Sequence, residues 1–169
     1  MSNSIISPEL RNKVIGTFPM DPGSIHGPKH WARVEENARL ISKETGADIR
    51  ILELFALFHD SLRQNDIIDK GHGQRGADHA VKLRAEGWFE LEDEAFELLR
   101  EACIKHTDGE TEGHPVLITC WDADRLDLWR CGIKPDPTKM CTETARQADT
   151  IEWAMKRSGG PVDEKSIKE

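Results

Sequence analysis

The chain has no tyrosine and only five tryptophans and five phenylalanines among its 169 residues. A platform of aromatic rings for stacking exposed bases is therefore not expected. The tryptophans read as core or rim residues, with Trp31 and Trp129 the two nearest a prospective pocket. No apolar run is long enough to span a bilayer, so no membrane partner is expected. The opening stretch MSNSIISPELRNKV lacks the apolar segment of a secretory signal. Positive charge is also short: 23 Lys and Arg stand against 31 Asp and Glu, a net charge of −8. No global basic field recruits a nucleic acid duplex, although a nucleotide needs only a local cationic site. The four cysteines, Cys103, Cys120, Cys131 and Cys141, show no paired CxxC spacing. They read as reduced thiols or core residues of a cytoplasmic protein rather than as a zinc site. Internal repeats and low-complexity segments are lacking too.

What is present is helical patterning. An apolar content of 37% fits one domain with a real core. Ser7-Pro8 makes a good start for a short helix over 8–18. From Pro28, Trp31, Val34, Ala38 and Ile41 recur at helical spacing until Gly46, and His30 shares a side with Val34 and Asn37, so it faces inward. The stretch from Asp48 is apolar nearly all round, with Ile49, Leu52, Phe55, Leu57 and Phe58, and it should be buried. Further helices are expected over about 73–85, over LEDEAFELLREACIKHTDGE, over 115–132 and over TKMCTETARQADTIEWAMKR. The VLIT run is the only β-rich stretch, and it leads straight into WDADRLDLW. The expected fold is all-α, a bundle of six or seven helices. One domain is expected over 1–157, its core over 24–132, followed by a flexible polar tail over 158–169.

The buried helix ends in His59 and Asp60. Such groups are costly to bury unless paired or bound to a metal. Five separate segments supply inward or loop-placed residues of ligand type: His30, His59 with Asp60, His72, His106 and Asp124. Imidazoles with carboxylates and no thiolate suit a first-row divalent ion such as Mn, Fe, Co, Ni or Zn, and carboxylate-rich sites also admit Mg. Helix bundles commonly build such sites from inward-projecting side chains. Asp122 competes with Asp124 for the last place; two residues apart on a helix they point about 200° apart, so only one faces the site. Asp127, one turn beyond Asp124, is placed to support it from behind. His26, His79 and His114 read as structural or surface residues, His26 being the one best placed to approach the cluster.

The order HWARV with His30, FHDSLR with His59 and Asp60, and DADRLDL with Asp124 resembles the HD metal-dependent phosphohydrolase superfamily over roughly residues 24–132. The resemblance implies an all-helical HD-domain-like fold with those four residues on one metal, and its ADRL context selects Asp124. Members that hold two metals carry two further histidines between the doublet and the last Asp. HGQRGA with His72 and IKHTDG with His106 look like those segments in bacterial dinucleoside-tetraphosphatase-type HD proteins. A second ion bridged by Asp60 is then implied; with one ion, His72 and His106 would contact phosphate or water.

The function expected is hydrolysis of a phosphate ester or anhydride in a nucleotide or another small phosphorylated metabolite, by attack of metal-bound water on phosphorus. Asp60, Arg63 and Arg75 are the expected catalytic residues. Arg33, Arg63, Arg75 and Lys105 are the expected substrate contacts, Arg being the better fork for phosphate; Asp66 could orient one of these. Two alternatives stand beside it: a di-iron oxygenase of the HD-related type acting on a small polyol or phosphonate, and a non-catalytic nucleotide-binding module. Homo-oligomerisation is left open.

Overall fold

The computed structural model describes residues 3–159, in which eight α-helices and two short 3-10 turns follow one another with no strand among the described residues. The helices are α1 (Pro8–Thr17), α2 (Pro28–Thr45), α3 (Ile49–Phe58), α4 (His72–Ala85), α5 (Asp93–Lys105), α6 (Pro115–Arg125), α7 (Glu143–Arg146) and α8 (Ala148–Arg157). No helix among the described residues is long and apolar enough to cross a membrane.

The centre is α3. Asp48 caps it by accepting from the Arg50 amide, and every residue from Ile51 to Phe58 is buried. It packs on α2, α4, α5 and α6. Each large apolar side chain so buried contributes roughly 1.5–3 kcal/mol, which is why a run apolar on all sides takes the middle of the bundle. Glu53 is buried within it and fully met: one carboxylate oxygen accepts from Ser4 Oγ and the Ile5 amide, both at 3.0 Å, and the other pairs with Arg39. These contacts offset the cost of burying the charge and tie the N-terminal segment to the core.

Two glycines decide how α4 lies. A Cβ on Gly73 would collide with the carbonyl oxygen of Cys103 in α5, and one on Gly76 with the carbonyl of Phe58 at the end of α3. Backbone therefore meets backbone at both places, and α4 starts close enough to α5 for their terminal histidines to meet.

The structure departs from the sequence expectation at two helix ends. The helix expected over 115–132 stops at Arg125, because the Asp127 amide turns to the Asp124 carbonyl and the turn tightens into a 3-10 segment, Leu128–Cys131, closed by Gly132 at φ 75°. The helix expected over 138–157 divides into α7 and α8 at Gln147, which is extended. Thr142 fixes the start of α7 by capping the Ala145 amide while giving its hydroxyl to Asp122. Of the expected tail, Ser158 is buried and caps α8 by donating to the Met155 carbonyl; residues 160–169 lie outside the described residues.

Candidate metal centre

The cluster forms where two helix starts and three helix ends meet. Pro28 opens α2, which puts His30 in its first turn; His59 and Asp60 follow the last residue of α3; His72 opens α4; His106 closes α5; Asp124 lies in the last turn of α6. The structure thus brings all six expected ligand-type residues together.

They fall into two groups that share Asp60. In the first, His30 Nε2 and His59 Nε2 are 3.0 Å apart, with Asp60 Oδ2 at 3.5 and 3.7 Å and Asp124 Oδ1 at 3.3 and 3.7 Å from them. In the second, His72 Nε2 and His106 Nε2 are 2.9 Å apart, with Asp60 Oδ1 at 3.3 and 3.6 Å. The two oxygens of one carboxylate therefore face the two groups.

The donor chemistry tests whether a cation fits. The Nδ1–H of His30 donates to Asp127 at 2.6 Å, that of His59 to the carbonyls of Phe55 and Ala56, that of His72 to the Asp69 carbonyl, and that of His106 to the Cys103 carbonyl. Each backing partner fixes its ring with the Nε2 lone pair turned inward. Lone pairs then face lone pairs at about 3 Å, and Asp60 Oδ1 and Asp124 Oδ1 are buried without a hydrogen-bond partner. Buried orphaned carboxylate oxygens are costly. A divalent ion answers both demands, since ligands bound to one ion at about 2.0–2.2 Å lie roughly 3.0–3.4 Å from each other.

Proton affinities follow the same pattern. Burial and the Arg130 charge oppose a cationic His30, but the nearby carboxylates of Asp124, Asp127 and Asp60 outweigh them and push it up to about 9. Its neighbour His59 is driven down by burial, against the pull of Asp60 and Asp124. In the second pair His106 is raised, burial being outweighed by the nearby Asp60 carboxylate and the Asp124 charge, while burial and the His106 charge lower His72. Asp60 and Asp124, which burial alone would raise, are held well below the ordinary carboxylate range by the surrounding histidines, with Arg130 also acting on Asp124.

The helical angle between the competing carboxylates works as expected. Asp124 faces His30 and His59, whereas Asp122 points away and accepts from the Cys141 amide, the Thr142 amide and the Thr142 hydroxyl. Asp127 lies behind His30 rather than in front of it.

The expected cations divide. Arg63 reaches the centre: its Nη1 is 3.2 Å from His72 Nε2 and 3.8 Å from Asp60 Oδ1, while Nε and Nη2 donate to the carbonyls of Asn65 and Ile67. The other three have their charge paired elsewhere. Arg33 forks onto Asp127 at 2.7 and 3.0 Å, Arg75 onto Asp69 at 2.6 Å, and Lys105 meets Glu101 at 2.9 Å. Asp66 orients none of these arginines; its carboxylate accepts from Ser24 Oγ at 2.5 Å. Trp31 is a core residue whose indole N–H holds the His26 carbonyl at 2.8 Å.

Two further groups stand at the centre, one expected to approach it and one not. His26 places Nδ1 3.1 Å from Asp60 Oδ2, and Arg130 places Nη2 3.7 Å from Asp124 Oδ1 and 3.4 Å from His26 Nδ1. His26 was signalled by its place just ahead of α2. Arg130 had no such signal, since on one unbroken helix it would point well away from Asp124; the 3-10 turn brings it round.

No protein-family model and no curated protein matches the chain. Among solved structures it is similar to a crystal structure described as a predicted HD superfamily hydrolase, from an uncultured Thermotogales bacterium. The likeness has a TM-score of 0.64 at 27% identity and covers 88% of this chain and 84% of that one. In helical frame, and in the order of the histidines and aspartates that the frame gathers at the end of α3, the chain is similar to an HD-superfamily domain.

Proposed function

We propose that the protein is a metal-dependent hydrolase, and specifically a phosphohydrolase acting on a nucleotide or another small phosphorylated metabolite. The hydrolase reading is supported by the description of the similar crystal structure and by the buried cluster. His30, His59, Asp60 and Asp124 would hold one divalent ion, and His72, His106 and Asp60 a second. Such ions, when bound, lower the pKa of water and polarise a phosphoryl oxygen.

The observation that carries the phosphate reading is a charge balance. Three carboxylates, Asp60, Asp124 and Asp127, are matched by three guanidiniums, those of Arg63, Arg130 and Arg33. With the histidines neutral as metal ligands, the chain's own charges at the centre cancel, and any divalent ion leaves net positive charge for the substrate to meet. A multiply anionic phosphate group meets it in a way that a neutral polyol does not. Arg63 binds a phosphate oxygen at the His72 side. Asp127 holds His30 in its ligand tautomer, and the Phe55, Ala56, Asp69 and Cys103 carbonyls do the same for the other three rings. In the reaction the oxygen of water bonds to phosphorus, the ester or anhydride P–O bond breaks, and the leaving oxygen ends protonated or as its anion.

The test is protein purified without chelator, analysed for metal and given a panel of phosphomonoesters, phosphodiesters and nucleotides. Release of phosphate or of a shorter nucleotide, lost in Asp60→Ala together with the metal, is expected. Tight nucleotide binding with no turnover under any metal would make the chain a binding module. Oxygen uptake with a polyol or phosphonate by an iron-loaded, coloured protein would make it an oxygenase.

A further inference from the structure

Glu53, a buried charged group of this domain, has both its carboxylate oxygens met, and Asp122 likewise has partners on both. Arg130 has no such full set. Its side chain is only 6% exposed. Nη1 donates to the Asp127 carbonyl at 2.9 Å, but Nε is buried without any partner. Nη2 lies 3.4 Å from His26 Nδ1, yet that nitrogen is 3.1 Å from Asp60 Oδ2, which can only accept. A ring nitrogen that donates to Asp60 has no lone pair left for Arg130. The remaining neighbour, Asp124 Oδ1, is 3.7 Å away, beyond hydrogen-bond reach. One edge of the guanidinium, Nε with Nη2, is thus held beside the metal-ligand cluster with no acceptor for its N–H groups.

Leaving such donors unmet is expensive unless something else supplies the oxygens. Arg63, at the other end of the cluster, is differently placed, because two of its nitrogens already donate to loop carbonyls. We infer that Arg130 is a phosphate-binding residue of the site, its free Nε–Nη2 edge receiving two oxygens of the substrate's phosphate while Arg63 holds the opposite side. The inference rests on the phosphohydrolase reading and deepens it. Two-pronged binding of this kind selects a terminal or bridging phosphate with at least two free oxygens.

Arg130→Met and Arg130→Lys test it, with inorganic phosphate as the probe, in titration calorimetry on metal-loaded protein. Arg130→Met is expected to bind phosphate at least tenfold more weakly than wild type and to raise KM for the best phosphorylated substrate, with metal content unchanged. Arg130→Lys keeps the charge without the fork and should recover only part of the loss. Wild-type phosphate affinity in Arg130→Met overturns the inference. So does loss of bound metal in both variants, which would make Arg130 a support for Asp124 instead. If wild type itself neither binds phosphate nor hydrolyses any phosphate compound, the functional reading fails, and the inference falls with it.

Discussion

Substituting Gly73 by alanine should remove one metal site and spare the other. The added Cβ would sit inside the contact radius of the Cys103 carbonyl oxygen, with the Ile104 carbonyl and His106 Nδ1 each only 3.2 Å off. All three belong to the end of α5, and two are backbone, so no flexible side chain can swing away. To reach ordinary van der Waals separation the start of α4 must move from α5 by about 1 Å. His72 leads α4 and His106 closes α5, and their Nε2 atoms are 2.9 Å apart. Such a shift opens their separation toward about 4 Å, beyond the roughly 3.0–3.4 Å of neighbouring ligands on one ion. It also disturbs the Cys103 carbonyl that fixes the His106 tautomer. The first group, carried by α2, α3 and α6, is not on this interface. Overpacking of this kind costs roughly 1–3 kcal/mol, or about 2–12 °C in Tm for a chain of this size. Elemental analysis of chelator-free protein should show one ion per chain fewer than wild type. Gly16→Ala is the control: nothing lies within 4 Å of its added Cβ, and it should leave the metal content unchanged. A Gly73→Ala protein with wild-type metal content and wild-type Tm would refute the close-packing argument and the two-ion reading with it.

Asp122→Asn and Asp124→Asn should separate stability from metal binding. The first weakens an anchor that accepts from three groups at Cys141 and Thr142, so it lowers Tm with metal retained; the second should lose metal with little change in the chain's far-UV circular dichroism. Asp127→Ala removes the acceptor behind His30 and should weaken metal affinity roughly 10–100-fold in a competition titration. His79, lowered to about 4 by burial and then by Lys82 and Lys13, is neutral in the fold where the unfolded chain's histidine near 6.5 is protonated. Its contribution is full above about pH 6.5 and is lost as pH falls toward 4. The Tm of His79→Gln should therefore fall less than that of wild type across that interval, and parallel curves would sink the assignment. Metal-free protein, finally, should gain about 2.7 kcal/mol of stability when an ion is added at a hundred times its Kd, read as a rise in Tm that chelator reverses.

The sequence determined the helices and the identity of the clustered residues, because both are local matters. Periodicity buries α3 and turns His30 inward, and residue type says which groups need a partner once buried. The angle between Asp122 and Asp124 already pointed one of them at the centre, with the ADRL context naming Asp124. Tertiary structure alone decided which nitrogen of each histidine faces the centre, since that depends on carbonyls and on Asp127 behind the rings. It decided that the two oxygens of Asp60 look opposite ways. It also withdrew Arg33 and Arg75 into pairs with Asp127 and Asp69, and brought forward Arg130 through a break in α6 that apolar spacing does not announce. A long, flexible cation takes the first well-placed carboxylate it meets, and which carboxylate that is follows from how the helices cross rather than from how the residues are ordered.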